Sequence, residues 1–157
     1  MRKMWRKLFG TAALAFVLCL SGLVMSGEAQ AQQCVDNGDG TVTDNGNFLM
    51  WQKETAGPMN YFNAWSYLNG LSLGGHSGWR LPSTNELLGL YHSAECKMMM
   101  DVVPQDYWSA TQGIYGTDYA GRVFFDDGLV NDAYMFNSSY VRAVRNAHSS
   151  TKVIRKF

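Results

Sequence analysis

The run Gly78-Trp79-Arg80-Leu81-Pro82-Ser83, with Glu86 three residues on, constrains the fold more than any other stretch of the chain. Trp79 and Leu81 alternate with polar neighbours, as an extended strand facing a core requires. Pro82 has no backbone N–H, so it stops the strand. Ser83 and Glu86 then form a capping box, the reciprocal side-chain-to-backbone pair that opens a helix. Strand must therefore pass into helix with almost no loop between them. Such a turn brings Arg80 near Glu86, and an ion pair there would fix the start of the helix. Buried charges generally need partners, which favours this reading over Arg80 gripping an anionic ligand. Leu87, Leu88, Leu90 and Tyr91 carry the apolar side, and the pattern fades by Ser93.

The surrounding chain alternates strand and turn signals. Asp36-Asn37-Gly38-Asp39-Gly40 and Asp44-Asn45-Gly46-Asn47 are rich in residues that supply positive φ cheaply. Thr41-Val42-Thr43 between them reads as a short strand, and Phe48 to Gln52 as the next. The acidic start is not an EF-hand loop: with Gly40 sixth, Val35 stands first and Gly46 twelfth, where Asp and Glu are needed. Tyr61, Ala64, Trp65 and Leu68 form one stripe of a helix over 60–69, capped by Asn60 and ended by Gly70. That stripe reads as core packing rather than a ligand-facing patch. Strand signals return at 107–111, 121–126, 129–136 and 140–145, with Asp127-Gly128 as a hairpin turn and Asn137-Ser138-Ser139 as a loop. Strands, two helices and an antiparallel meander make an α+β plan.

Residues 1–31 predict an export signal. Basic residues open the chain, Leu8 to Met25 is almost wholly apolar, and Ala29-Gln30-Ala31 is a small-x-small exit. Cleavage near Ala31 would leave a periplasmic or secreted protein that meets the membrane only during export. Its domain spans 32–146, and a basic flexible tail covers 147–157. The formal charge of zero then misleads, because the chain past Ala31 has nine basic residues against twelve acidic ones. Three of the nine, Lys152, Arg155 and Lys156, lie in the tail. Nucleic-acid binding calls for a basic face, so that class is excluded. Past Ala31 only Cys34 and Cys96 remain, and two cysteines in an exported chain favour one disulfide.

Four ordered blocks resemble the Lcl C-terminal domain family. They are Asp36 to Asn45 with Leu49-Met50-Trp51-Gln52-Lys53; Leu71 to Ser83 with Asn85-Glu86-Leu87; Tyr107 to Thr111; and Tyr140 to Arg145. The resemblance covers about 34–146. It implies an exported bacterial domain of C-type-lectin-like fold, with N- and C-terminal strands paired and a loop-rich sheet that displays a binding surface. It is distantly similar to the formylglycine-generating enzymes. Two positions depart from the family pattern. Gly78 stands where Asp often precedes the signature tryptophan. Leu68 stands where a cysteine is common, so any disulfide here is not the commoner one.

Catalysis is not expected. Formylglycine-type oxidation relies on reactive cysteines late in the domain, and none follows Cys96. His76, His92 and His148 lack His-Glu-x-x-His spacing, and no nucleophile motif is present. No cofactor and no metal are expected. The calcium motifs of lectins fail, since Pro104-Gln105-Asp106 has the wrong order and Val130-Asn131-Asp132 keeps only two residues. A calcium site would need Asp118, Asp126, Asp127 and Asp132 to converge, which sequence does not decide. The expected function is noncovalent recognition of a glycan or protein partner at the cell envelope or outside it, through 112–137. Tyr115, Asp118, Tyr119, Arg122, Asn131, Asp132, Tyr134 and Asn137 are the candidate contacts, because tyrosine and asparagine combine rigid apolar area with adaptable hydrogen bonds. Strand alternation would allow Asn131 to share one exposed face with the others. Some relatives bind sulfated glycans; the acidic body opposes this, and only the basic tail favours it. The alternative is a structural envelope domain without a ligand site.

Overall fold

The computed structural model describes residues 32–147. The export signal and all but the first residue of the basic tail lie outside the described residues.

The described residues form four strands, then three helices, then five strands: β1 Cys34–Asp36, β2 Thr41–Asp44, β3 Leu49–Gln52, β4 Ala56–Asn60, α1 Tyr61–Gly70, α2 Thr84–His92, α3 Ala94–Met98, β5 Asp106–Gln112, β6 Tyr119–Phe124, β7 Val130–Tyr134, β8 Ser138–Val141 and β9 Val144–Asn146. They form a four-stranded sheet, β1-β2-β3-β9, and a five-stranded sheet, β4-β8-β5-β6-β7. This is the expected α+β plan with the two ends of the domain in one sheet. The direct partner of β9 is β3, with Trp51 opposite Val144, and β1 occupies the far edge. Three features depart from the sequence reading. Cys34–Asp36 and Ala56–Asn60 are strands that the sequence reading does not assign. A third, short helix continues past Ser93, whose side chain caps it at Cys96. The five-stranded sheet is mixed, because β5 and β8 pair in parallel at Tyr107 and Tyr140.

Strand β5 explains how one sheet serves two cores. Successive side chains point to opposite faces. Tyr107 therefore enters a core with Val42, Trp51, Leu87, Leu90, Val123 and Val144, beneath α2. Trp108 enters a second core with Tyr61, Ala64, Leu68, Leu81, Ala120 and Ala133, beneath α1. The Trp108 Nε1–H donates to the Met59 carbonyl at 2.9 Å, so the indole is buried with its donor satisfied. Trp65, read as part of the α1 core stripe, keeps 39% of its surface exposed and sits at the rim.

The signature turn is built as expected. Trp79 and Leu81 are buried, and Arg80 pairs with Val144 in a single antiparallel bridge. Ser83 caps α2 with the full capping box to Glu86. Arg80 grips Glu86 with both terminal nitrogens, at 2.7 and 2.8 Å. Those hydrogen bonds hold the Glu86 carboxyl below its ordinary range and raise Arg80. The guanidinium is thus committed to the helix start. Cys34 and Cys96 form a disulfide that ties β1 to α3.

What reads as one strand over 140–145 is two strands in different sheets, and Arg142-Ala143 is the crossing. The reverse crossing, from β3 to β4, runs beside it. Arg142 is fully buried and donates to the carbonyls of Gln52, Lys53 and Asp101 and to the Thr55 hydroxyl. Gln52 answers from the other side: its Oε1 accepts from the Ala143 N–H at 3.3 Å, and its Nε2 donates to the Tyr67 hydroxyl at 2.6 Å. Backbone groups freed from the ladders are satisfied by these two side chains, as buried polar groups must be. Burial pushes the Arg142 guanidinium below its ordinary value.

Candidate functional site

The segment 112–137 folds as a loop laid against the β6–β7 hairpin. The Gly113 N–H donates to the Tyr119 carbonyl at 2.9 Å, and the Ile114 N–H donates to Asp132 Oδ2 at 2.6 Å. A Cβ at Gly113 would stand 2.6 Å from Tyr119 Cβ, so only glycine lets the loop approach this closely. Latched in this way, the loop leaves Ile114 and Tyr115 exposed at its tip, 86% and 72% accessible. A shallow groove of about 420 Å3 runs between these two side chains and Val130, Asn131 and Asp132.

Strand register divides the eight expected contacts. Tyr119 lies opposite Tyr134, Gly121 opposite Asp132, and Arg122 opposite Asn131. Alternation therefore puts Tyr119, Asp132 and Tyr134 on one face and Arg122 and Asn131 on the other. Asn131 does not share a face with the tyrosines. Arg122 donates to Asp106 at 2.6 Å and to Asn131 at 3.3 Å, and it lies over the Trp108 and Phe124 rings. Ser139 donates to the same Asp106 carboxylate. Arg122 thus belongs to a half-buried network on the α1 side of the sheet. Asp132 is engaged by the loop latch. The Asp118 carbonyl accepts from the Met135 N–H at 2.8 Å, and the Asn137 N–H closes the turn onto the Tyr134 carbonyl at 2.9 Å.

The three tyrosines do come together, and they continue beyond the expected set. Ring centroids follow one another from Tyr115 to Tyr119 at 6.0 Å, to Tyr134 at 5.7 Å, to Phe136 at 5.2 Å and to Phe62 at 5.2 Å. Tyr134, Phe136 and Phe62 are all large exposed apolar side chains, 42%, 61% and 49% accessible. Among the described residues, no side chain or backbone group hydrogen-bonds the hydroxyls of Tyr115, Tyr119 or Tyr134. Phe136 and Phe62 were not legible as contacts from sequence. The signals were present: Phe136 stands two residues past Tyr134, and Phe62 falls off the α1 apolar stripe.

Other candidate positions are occupied by the scaffold. Asp127 accepts from the Leu129 N–H within its own hairpin turn at 2.9 Å. Among the described residues the one convergence of metal-type side chains is Cys34, Asp44 and Cys96, whose sulfurs are spent in the disulfide. A depression of about 520 Å3 is lined by Asp36, Lys53, Glu54, Thr55 and Asp101. Its Lys53 pairs with Asp36 at 2.5 Å and holds that carboxyl below its usual range.

The family model of the Lcl C-terminal domain matches residues 40–145. No curated protein matches the chain.

Proposed function

The chain belongs to the Lcl C-terminal domain family, and from that premise we propose that it is an exported binding module recognising a glycan or protein partner noncovalently. The single observation that supports this reading is the row of contiguous rings running from Tyr115 to Phe62, all exposed but the half-buried Tyr119. Scattered apolar surface residues are ordinary, whereas contiguous exposed aromatic patches mark interaction sites. The rings stand on a framework clamped by the Cys34–Cys96 bond, the Arg80–Glu86 pair and the Arg142 clasp. Such a platform binds without first paying to order itself. The disulfide is consistent with an oxidising compartment outside the cytoplasm, which supports export.

An array of glycans and proteins, probed with residues 32–157 with and without calcium, tests the reading. Binding that survives a chelator and falls when Tyr134 and Phe136 are truncated is the expected result. Binding abolished by the chelator refutes a metal-independent site. No binding on either array favours a structural envelope domain.

A further inference from the structure

We propose that the ring row is a subsite for a linear chain of neutral sugars, extending past the 112–137 segment onto Phe62 of α1. This rests on the binding reading above and names its ligand class. Three observations carry it.

The first is linearity. Neighbouring rings stand 5.2–6.0 Å apart from Tyr115 to Phe62, and among the described residues no ring contact joins non-adjacent members of the row, so the rings follow one another rather than cluster. A strip of repeated rings suits a ligand that itself repeats. The C–H faces of successive pyranose rings meet such a strip unit after unit.

The second is the chemistry at the edge of the strip. The phenol hydroxyls of Tyr115, Tyr119 and Tyr134 are each a donor and an acceptor, unspent on the described residues. Apolar faces with free hydroxyls at their margins match a ligand with C–H faces and a rim of hydroxyls. A purely apolar protein surface would strand those phenol groups on docking, at a cost for every unpaired group.

The third is charge. Asp118 is exposed beside Tyr119, and Arg122, the cation of β6, is tied to Asp106 on the opposite face of the sheet. Among the described residues, an anionic chain would meet the Asp118 carboxylate while the Arg122 guanidinium stays engaged by Asp106. Neutral sugars carry no such penalty, and sulfated chains do.

Affinity electrophoresis or calorimetry with residues 32–157 tests this against hexasaccharides of the cello-, xylo-, malto- and chito-series, with a heparin hexasaccharide as the anionic comparator. At least one neutral hexasaccharide binds, and its binding is insensitive to moderate salt. Tyr134→Ala with Phe136→Ala weakens it at least about tenfold, since each substitution removes most of a ring from the contact. Phe62→Ala weakens binding of the hexasaccharide more than that of the matching trisaccharide. Circular dichroism and melting establish that each variant is folded; all three aromatic positions are exposed. Failure of every neutral hexasaccharide to bind, or tighter binding of the heparin fragment, overturns the proposal. So does equal affinity of the Tyr134/Phe136 variant. A protein ligand from the array that is lost with the same two rings, while all sugars fail, refutes the sugar class but leaves the binding reading standing. Loss of both classes refutes both.

Discussion

Arg142→Met should destabilise the domain by about 2 kcal/mol, because a buried backbone acceptor loses its donor. The guanidinium is fully buried and gives NH1 to the Gln52 and Lys53 carbonyls, at 2.8 and 2.7 Å. NH2 goes to the Thr55 hydroxyl and the Asp101 carbonyl. The Asp101 carbonyl also accepts from Thr55 Oγ1, so it keeps a donor after the substitution. The Lys53 carbonyl keeps the Asp101 N–H at 3.0 Å, so the Gln52 carbonyl is the acceptor that loses its Arg142 donor. A buried acceptor left unpaired costs about 1–3 kcal/mol. Methionine has similar length and removes the desolvation cost of the cation, which offsets part of the loss. Replacing a buried ion pair by apolar residues can be neutral, but only because both partners go. Here the partners are backbone and stay. A net of about 2 kcal/mol follows, a large share of the roughly 5–15 kcal/mol typical of a domain. At about 4 °C per kcal/mol for this size, melting falls by about 8 °C. Arg142→Lys keeps the charge, but its single nitrogen cannot reach both crossings, so it loses about half as much. Urea titration of the oxidised protein gives the energies, and hydrogen exchange at the Gln52 and Ala143 amides locates the loosening at the crossing. A methionine variant melting within about 3 °C of the parent would refute the clasp.

The other predictions concern the scaffold and the strip. Cys34→Ala with Cys96→Ala, whose bond spans 62 positions, should lower stability by up to about 4 kcal/mol, read as a melting shift that reductant reproduces in the parent. Glu86 lies below its ordinary value of 4.5, so its contribution is present above that pH and is lost as pH falls through the lower folded value. The pair is partly exposed, so Glu86→Gln should cost no more than about 1 kcal/mol at pH 7 and should flatten the acid limb of the stability curve; an unchanged limb would dismiss the pair. Gly128→Ala forces a side chain to positive φ, with its Cβ 2.5 Å from the Tyr91 ring, and should cost more than about 1 kcal/mol by chemical denaturation. Truncating Tyr134 and Phe136 should leave melting nearly unchanged while removing neutral-sugar binding.

Legibility followed the range of each signal. The α2 start was written locally, because Pro82, Ser83 and Glu86 act on backbone within three residues of themselves. The Asn60 cap of α1 and the Asp127-Gly128 turn were legible for the same reason. The strands Cys34–Asp36 and Ala56–Asn60 were not, since each owes its form to a neighbour: the first to β2, the second to β8. Of the eight expected contacts, the tyrosines joined one strip. Arg122 and Asn131 fell to the opposite face, because one position of register decides which side of a sheet a residue serves.

Composition and short-range pattern therefore settled the α+β class, the helix starts, the turns and the family resemblance, all of which depend on contacts between near neighbours in the chain. Tertiary packing decided that 140–145 breaks between two sheets around a buried arginine, and that Phe62 of α1 stands 5.2 Å from Phe136. Neither could be read in advance, because each depends on residues tens of positions apart whose meeting is fixed only when the two cores close.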